Sequence, residues 1–299
     1  MRLGEEAEFE IFGRKMTAKL WGNPDGYPTL AIHGWLDNAS TFDRLALLLP
    51  ELNIIALDLA GHGHSDHRAP GVQYQHGDYL LDIMAVVESI NWKTFNLIGH
   101  SMGGQISSII AATFPERVNR VLMIDGFMAE GTYSDEDRVA GNRQAIEKML
   151  TSQNRTTKVF KDTETMALRV TEATDQTLDA ARVLVSRGHQ VVEGGVSWRS
   201  DSRIRYPSSS RFTRSQLNLM LKQSTSPALL IVAEQGDRWY QGEVKVSELH
   251  HPNLTVIRIP GPHHMHLEAE YVNGVAELAR NFFELNETVT REHKLSSLR

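Results

Sequence analysis

Phe95-Asn96-Leu97-Ile98-Gly99-His100-Ser101-Met102-Gly103-Gly104 is an apolar run that breaks into a glycine-flanked serine and then into a helical pattern. The spacing Gly99-x-Ser101-x-Gly103 between a buried strand and a helix predicts a sharp strand-to-helix turn with Ser101 at its apex. Such a turn strains the serine backbone and lifts its hydroxyl clear of the sheet. Side chains two positions to either side would collide, so glycine is needed at both. The helix that begins there points its first amides at any negative charge developing on a group attacked by Ser101.

Outward from this turn, short apolar runs alternate with amphipathic segments. Glu8–Phe12 and Met16–Trp21 read as a hairpin turning at Gly13-Arg14, followed by strands at Thr29–His33, Asn53–Asp58, Phe95–Gly99 and Val118–Asp125. Helices are expected near Phe42–Leu49 and from Asp78 to Ile90, with Tyr79, Ile83, Val86, Val87 and Ile90 near one face. After an interruption, the pattern resumes with a helix near Arg214–Leu221, a strand Ala228–Ala233, a helix near Glu243–His250, a strand Leu254–Ile259 and a last helix from Leu267. This alternation predicts an α/β fold with a mostly parallel sheet flanked by helices. The interruption, residues 127–206, is polar and helical in period without a convincing strand. It is expected to be a helical lid inserted into one core made of residues 1–126 and 207–299.

Composition narrows the function. The chain has 299 residues, 41% hydrophobic and 23% charged, enough for a full-sized enzyme core. A formal charge of −6 spread along the sequence gives no basic face, so no nucleic-acid partner is expected. There are no cysteines, which excludes disulfides, thiolate nucleophiles and cysteine zinc sites and suits a reducing cytoplasm. Residues 1–10 are acidic without an apolar core, and no apolar run is long enough to span a bilayer, so neither a secretory signal nor a membrane span is expected.

A serine nucleophile needs a base, an acid and two oxyanion donors. The base belongs after the last strand, where Pro260-Gly261-Pro262-His263-His264-Met265-His266 offers three histidines. His263, at the loop's apex, is preferred and His264 comes next, with Glu268 expected to open the final helix. A metal site using His263 and His266 competes, but no carboxylate-and-histidine partner motif supports it. Asp237, in the loop after Ala228–Ala233, is the expected acid; Asp125 is the competitor, and Glu234 a third choice. The oxyanion donors are expected to be the amides of Met102 and of Trp35 in His33-Gly34-Trp35-Leu36. His33, His100 and the turn Asp58 to Ser65 read as structural neighbours.

The set His33-Gly34-Trp35, Asp58 through Ser65, Gly99 through Gly104, Asp237 and His263 resembles the α/β-hydrolase superfamily across nearly the whole chain. A narrower likeness, to serine hydrolase-like proteins related to the insect hydrolase kraken, rests on Trp198 through Arg203, Tyr206 through Thr213 and Ala233 through Gly236, with Ser202 where a proline is expected. The resemblance implies an eight-stranded sheet, a lid after the sixth strand, and hydrolysis of small-molecule carboxylic esters without a cofactor. Dehalogenases and epoxide hydrolases of the superfamily use an aspartate nucleophile, and Ser101 argues against both. Cleavage of carbon–carbon bonds, thioesters or lactones by the same residues stays open, as does a slow-turnover ligand sensor.

Overall fold

A computed structural model describes residues 1–127, 138–151, 158–209, 212–236 and 251–285. Ten strands form among the described residues: β1 (Arg2–Ile11), β2 (Arg14–Gly22), β3 (Tyr27–Ile32), β4 (Leu52–Leu57), β5 (Phe95–His100), β6 (Val118–Ile124), β7 (His189–Val192), β8 (Gly195–Trp198), β9 (Ala228–Ala233) and β10 (Leu254–Ile259). The helices are α1 (Asp43–Leu47), α2 (His76–Ser89), α3 (Met102–Thr113), α4 (Arg138–Thr151), α5 (Thr163–Ala173), α6 (Leu178–Gly188), α7 (Arg214–Gln223) and α8 (Val272–Phe282). None of the described helices is long and apolar enough to cross a membrane.

Eight strands make one sheet in the order β1-β2-β4-β3-β5-β6-β9-β10. β2 runs antiparallel to both of its neighbours, and every other pairing is parallel. The central strands are apolar because both faces are covered. Leu30 and Ile32, Ile55 and Leu57, Leu97, Val121 and Met123 point toward α2, α3 and α7. The intervening Ala31, Ile54, Ala56, Ile98, Leu122 and Ile124 point toward α1 and α8. This strict period of two is the pleat of a fully buried strand. From β3 the chain passes to β4 on one side, and from β4 it crosses back over β3 to β5 on the other. A crevice therefore opens at the carboxyl ends of β3 and β5, where open α/β sheets place their ligands.

Several expectations need correction. β1 begins at Arg2, six residues before the predicted start, because its alternating Glu residues lie on a solvated edge and hide the strand signal. The first hairpin turns at Phe12-Gly13, both with positive φ (52° and 71°), which gives the strands their twist. The 127–206 segment is not all helix: β7 and β8 pair antiparallel around Glu193-Gly194. Four-residue strands are too short to show a period, and only the Gly194-Gly195 pair marks the turn. The final helix opens at Val272, not at Glu268, whose carboxylate instead accepts the Thr177 amide and hydroxyl at 2.9 and 2.6 Å. The helix expected near Glu243–His250 lies outside the described residues.

Candidate active site

Ser101 sits between β5 and α3 with φ 51° and ψ −118°, a region that costs a non-glycine residue about 1–3 kcal/mol. The strain is imposed by its surroundings. A β-carbon on Gly103 would stand 1.9 Å from the Ile32 carbonyl oxygen, and one on Gly99 would stand 2.4 Å from that of Gly103. The turn therefore folds only with glycine at both flanks, as the motif predicts.

His263 follows β10 in the loop after Gly261. Its Nδ1 lies 2.6 Å from Asp125 Oδ2. A carboxylate only accepts, so Nδ1 carries the ring proton and donates it, and Nε2 keeps its lone pair for another group. Asp125 itself is held from two sides. It follows β6 with φ 42°, its amide donates to Ile231 O at 2.7 Å, and its Oδ1 accepts the Ala233 amide at 3.0 Å. Gly236 lies close against it: a β-carbon there would be 2.6 Å from Asp125 Oδ2. Asp237, the acid preferred from sequence, lies outside the described residues, and the described structure gives the Nδ1 proton of His263 to Asp125 instead. The signal for Asp125 was its place at the end of the strand beside β5, with Gly126 packed on Ser101.

The other two loop histidines have different partners. His264 Nε2 lies 3.2 Å from Asp37 Oδ2, and His266 Nε2 lies 2.9 Å from Thr41 Oγ1. His100, next to Ser101, bridges Asp37 Oδ2 and the His263 carbonyl, both at 3.1 Å. Desolvation pushes the His100 pKa down to about 4. Burial alone would raise Asp37, but charge and hydrogen bonds from His264 and His100 hold it well below the usual carboxylate range. Burial alone would lower His264, and the Asp37 carboxylate overrides it to raise the ring's pKa. Sequence reading placed His100 as packed and did not foresee Asp37 as the centre of this network. Among the described residues, Asp37, His100 and His264 alone bring three potential metal ligands within 4.8 Å of one another. The three side chains are already joined to one another, with Asp37 Oδ2 contacting both His100 Nδ1 and His264 Nε2.

Neither the Trp35 nor the Met102 amide is taken by an acceptor among the described residues. Both residues line, with Ser101 and His263, a cavity of about 720 Å³. Val170, Asp175, Leu184 and Trp198 of the 127–206 segment line it as well. The loops beneath are held as the sequence suggested. His33 Nε2 accepts the Leu59 amide at 3.0 Å, and Asp58 accepts from Ala39 N, His64 N and Thr17 Oγ1, each at 2.8 Å. Arg187 of α6 reaches down to the same carboxylate, with Nε 2.9 Å from Asp58 Oδ2, and to Glu6 at 2.6 Å.

The profile of the α/β-hydrolase fold family matches residues 27–270. The chain belongs to the α/β-hydrolase family. This α/β-hydrolase is 31% identical to a serine hydrolase-like protein of Dictyostelium discoideum, over 89% of its own length and 78% of that protein's. It is 31% identical to a probable serine hydrolase of Drosophila melanogaster, over 88% and 83% of the two chains. The crystal structure of a hypothetical protein from Pseudomonas aeruginosa PAO1 superposes with a TM-score of 0.89 at 36% identity, covering 94% of this chain and 99% of that one. The chain is thus a serine hydrolase-like α/β-hydrolase, in agreement with the narrower resemblance read from its motifs.

Proposed function

We propose that this α/β-hydrolase cleaves small-molecule carboxylic esters through an acyl-enzyme, with Ser101 as nucleophile, His263 as general base and acid, and Asp125 as the acid that orients His263. The observation that carries the reading is the 2.6 Å contact between His263 Nδ1 and Asp125, in a cavity that His263 shares with the strained Ser101. Asp125 fixes the tautomer that leaves Nε2 free to accept a proton, and its charge stabilises the imidazolium once that proton arrives.

The steps balance. Ser101 Oγ bonds to the ester carbonyl carbon while its proton passes to His263 Nε2. The carbonyl oxygen becomes an oxyanion facing the free amides of Trp35 and Met102, a location worth about 3–4 kcal/mol per donor in comparable sites. Collapse breaks the bond to the alkoxy oxygen, which takes the proton from His263 and leaves as the alcohol. Water then attacks the acyl carbon, gives a proton to His263 and restores Ser101 as the acid departs. Residues 127–206 act as the cap that roofs the cavity and sets its acyl or alcohol preference.

The test is a p-nitrophenyl ester series of increasing acyl length, run on wild type and Ser101→Ala. Turnover abolished by the substitution supports the mechanism, and the best chain length sizes the acyl side of the cavity. Turnover that survives in Ser101→Ala removes the nucleophile. Inertness of a folded wild type toward every ester shifts the reading to the carbon–carbon, thioester or lactone substrates, or to a sensor.

A further inference from the structure

The run from Trp198 to Arg205 carries three arginines, and their fates differ. Arg199 Nε donates to the Gly63 carbonyl at 3.1 Å. Arg203 is locked by Asp201 at 2.6 Å and by the carbonyls of Arg68 and Ala69 at 2.6 and 2.7 Å. Arg205 has no hydrogen bond or ion pair among the described residues, yet it lines the cavity that holds Ser101. Its backbone is not loose. Asp201 N donates to Gly61 O at 2.9 Å and Asp201 Oδ2 accepts from Tyr74, while Ile204 O receives the Trp35 indole N–H at 3.0 Å. Desolvation lowers the Arg205 pKa, opposed only by Tyr206.

A guanidinium built on a pinned segment and left without a carboxylate is positioned to meet one from outside. Two other ionised groups at this cavity are already occupied. Arg169 is paired with Glu172 at 2.8 Å, and Asp175 accepts the His263 amide at 3.3 Å. Asp175 therefore holds negative charge at the His263 end, while Arg205 holds positive charge beside Trp35. Ser200 and Gln176 line the same space, and their buried Oγ and Oε1 atoms have no hydrogen-bond partner among the described residues.

Resting on the ester-hydrolase reading, we propose that Arg205, an exposed residue that lines the catalytic cavity, forms an anion subsite there, and that the substrates are esters carrying a carboxylate besides the bond that is cut. A neutral ester fills the cavity without meeting this charge. An anionic one is oriented by a bidentate contact that leaves its ester over Ser101.

The test compares mono-p-nitrophenyl esters of dicarboxylic acids, with four to seven methylenes, against neutral p-nitrophenyl esters of matched length. Acetates of phenol and of 4-hydroxybenzoate place the charge on the leaving side. Wild type is expected to favour the carboxylate member of at least one pair in kcat/KM. That preference should fall roughly 10- to 100-fold in Arg205→Gln, mainly through KM, and be partly restored in Arg205→Lys. No preference in wild type, or one that Arg205→Gln leaves intact, overturns the subsite while Ser101-dependent turnover of neutral esters stands. If no ester is turned over, calorimetric titration of Ser101→Ala with heptanedioate and heptanoate decides the matter separately. Tighter binding of the dianion, lost in Ser101→Ala/Arg205→Gln, upholds the subsite, and equal binding removes it.

Discussion

Replacing Asp125 by Asn removes one charge and nothing else of the side chain's shape. In the wild type Oδ1 accepts the Ala233 amide at 3.0 Å and Oδ2 accepts His263 Nδ1–H at 2.6 Å. An asparagine that keeps its oxygen on Ala233 turns its NH₂ toward His263. The ring must then accept at Nδ1 and carry its proton on Nε2, which leaves nothing to take the Ser101 proton. The imidazolium also loses its counter-charge. The corresponding change in a serine protease triad lowers kcat by about ten-thousand-fold, or about 5.5 kcal/mol at ~1.4 kcal/mol per decade. Asp125→Asn is therefore expected to fall by about that factor on the best p-nitrophenyl ester, with thermal unfolding as the check that it still folds. Asp237→Asn, run beside it, is expected to stay within about tenfold of wild type. If Asp125→Asn kept its rate and Asp237→Asn lost it, the assignment of the orienting acid would be refuted.

Other expectations follow from the same contacts. Gly236→Ala forces a methyl to 2.6 Å from Asp125 Oδ2, so kcat should drop by about 10- to 100-fold from displacement of the carboxylate, with KM nearly constant. Arg187→Met strands the fully buried Asp58 carboxylate short of its only cationic partner among the described residues. It should cost about 3 kcal/mol in urea unfolding, part of which Asp58→Asn in the same chain should restore. The Asp37–His264 pair gives a pH signature. His264 has its pKa raised by folding, so its contribution is fully present below the unfolded value near 6.5 and fades as pH rises through the higher folded value. Asp37 has its pKa depressed, so its contribution is present above the unfolded value and fades as pH falls through the lower folded one. The stability gap between wild type and Asp37→Asn should then be widest near pH 5–6 and narrow toward pH 9; a gap independent of pH would contradict the pairing.

Much of this was legible in the sequence because it rests on local rules. Buried strands read as apolar runs such as Leu52–Leu57, and the Ser101 turn reads from glycines whose replacement the backbone forbids. The position of His263, in the loop after the last strand, reads from the order of the apolar runs. What escaped was decided by tertiary distance. Asp125 and His263 are 138 residues apart in the chain, and the pairing of β6 with β9 and of β9 with β10 brings the carboxylate to the ring. Asp37 and His264 come from two separate loops and His100 from the end of β5, and no spacing rule joins them. The β7–β8 hairpin was missed because eight residues cannot outweigh the helical pattern around them.

Two helices of the 127–206 segment, α4 and α6, are not fastened alike. α6 is clasped to the core through Arg187 on Asp58, through Asn38 donating to Leu184 O at 2.9 Å, and through the Arg44–Asp179 ion pair. Thr177, at the start of α6, is bound by Glu268 from the loop that carries His263. By contrast, α4 leaves Val139, Ile146 and Leu150 exposed. In amide hydrogen exchange, α6 therefore belongs with the central strands and releases its protons only when they do, whereas α4 exchanges by small local openings. The stretch of cavity wall that α6 supplies at Leu184 is thereby tied to the loop that carries His263, while no described residue of α4 lines the cavity.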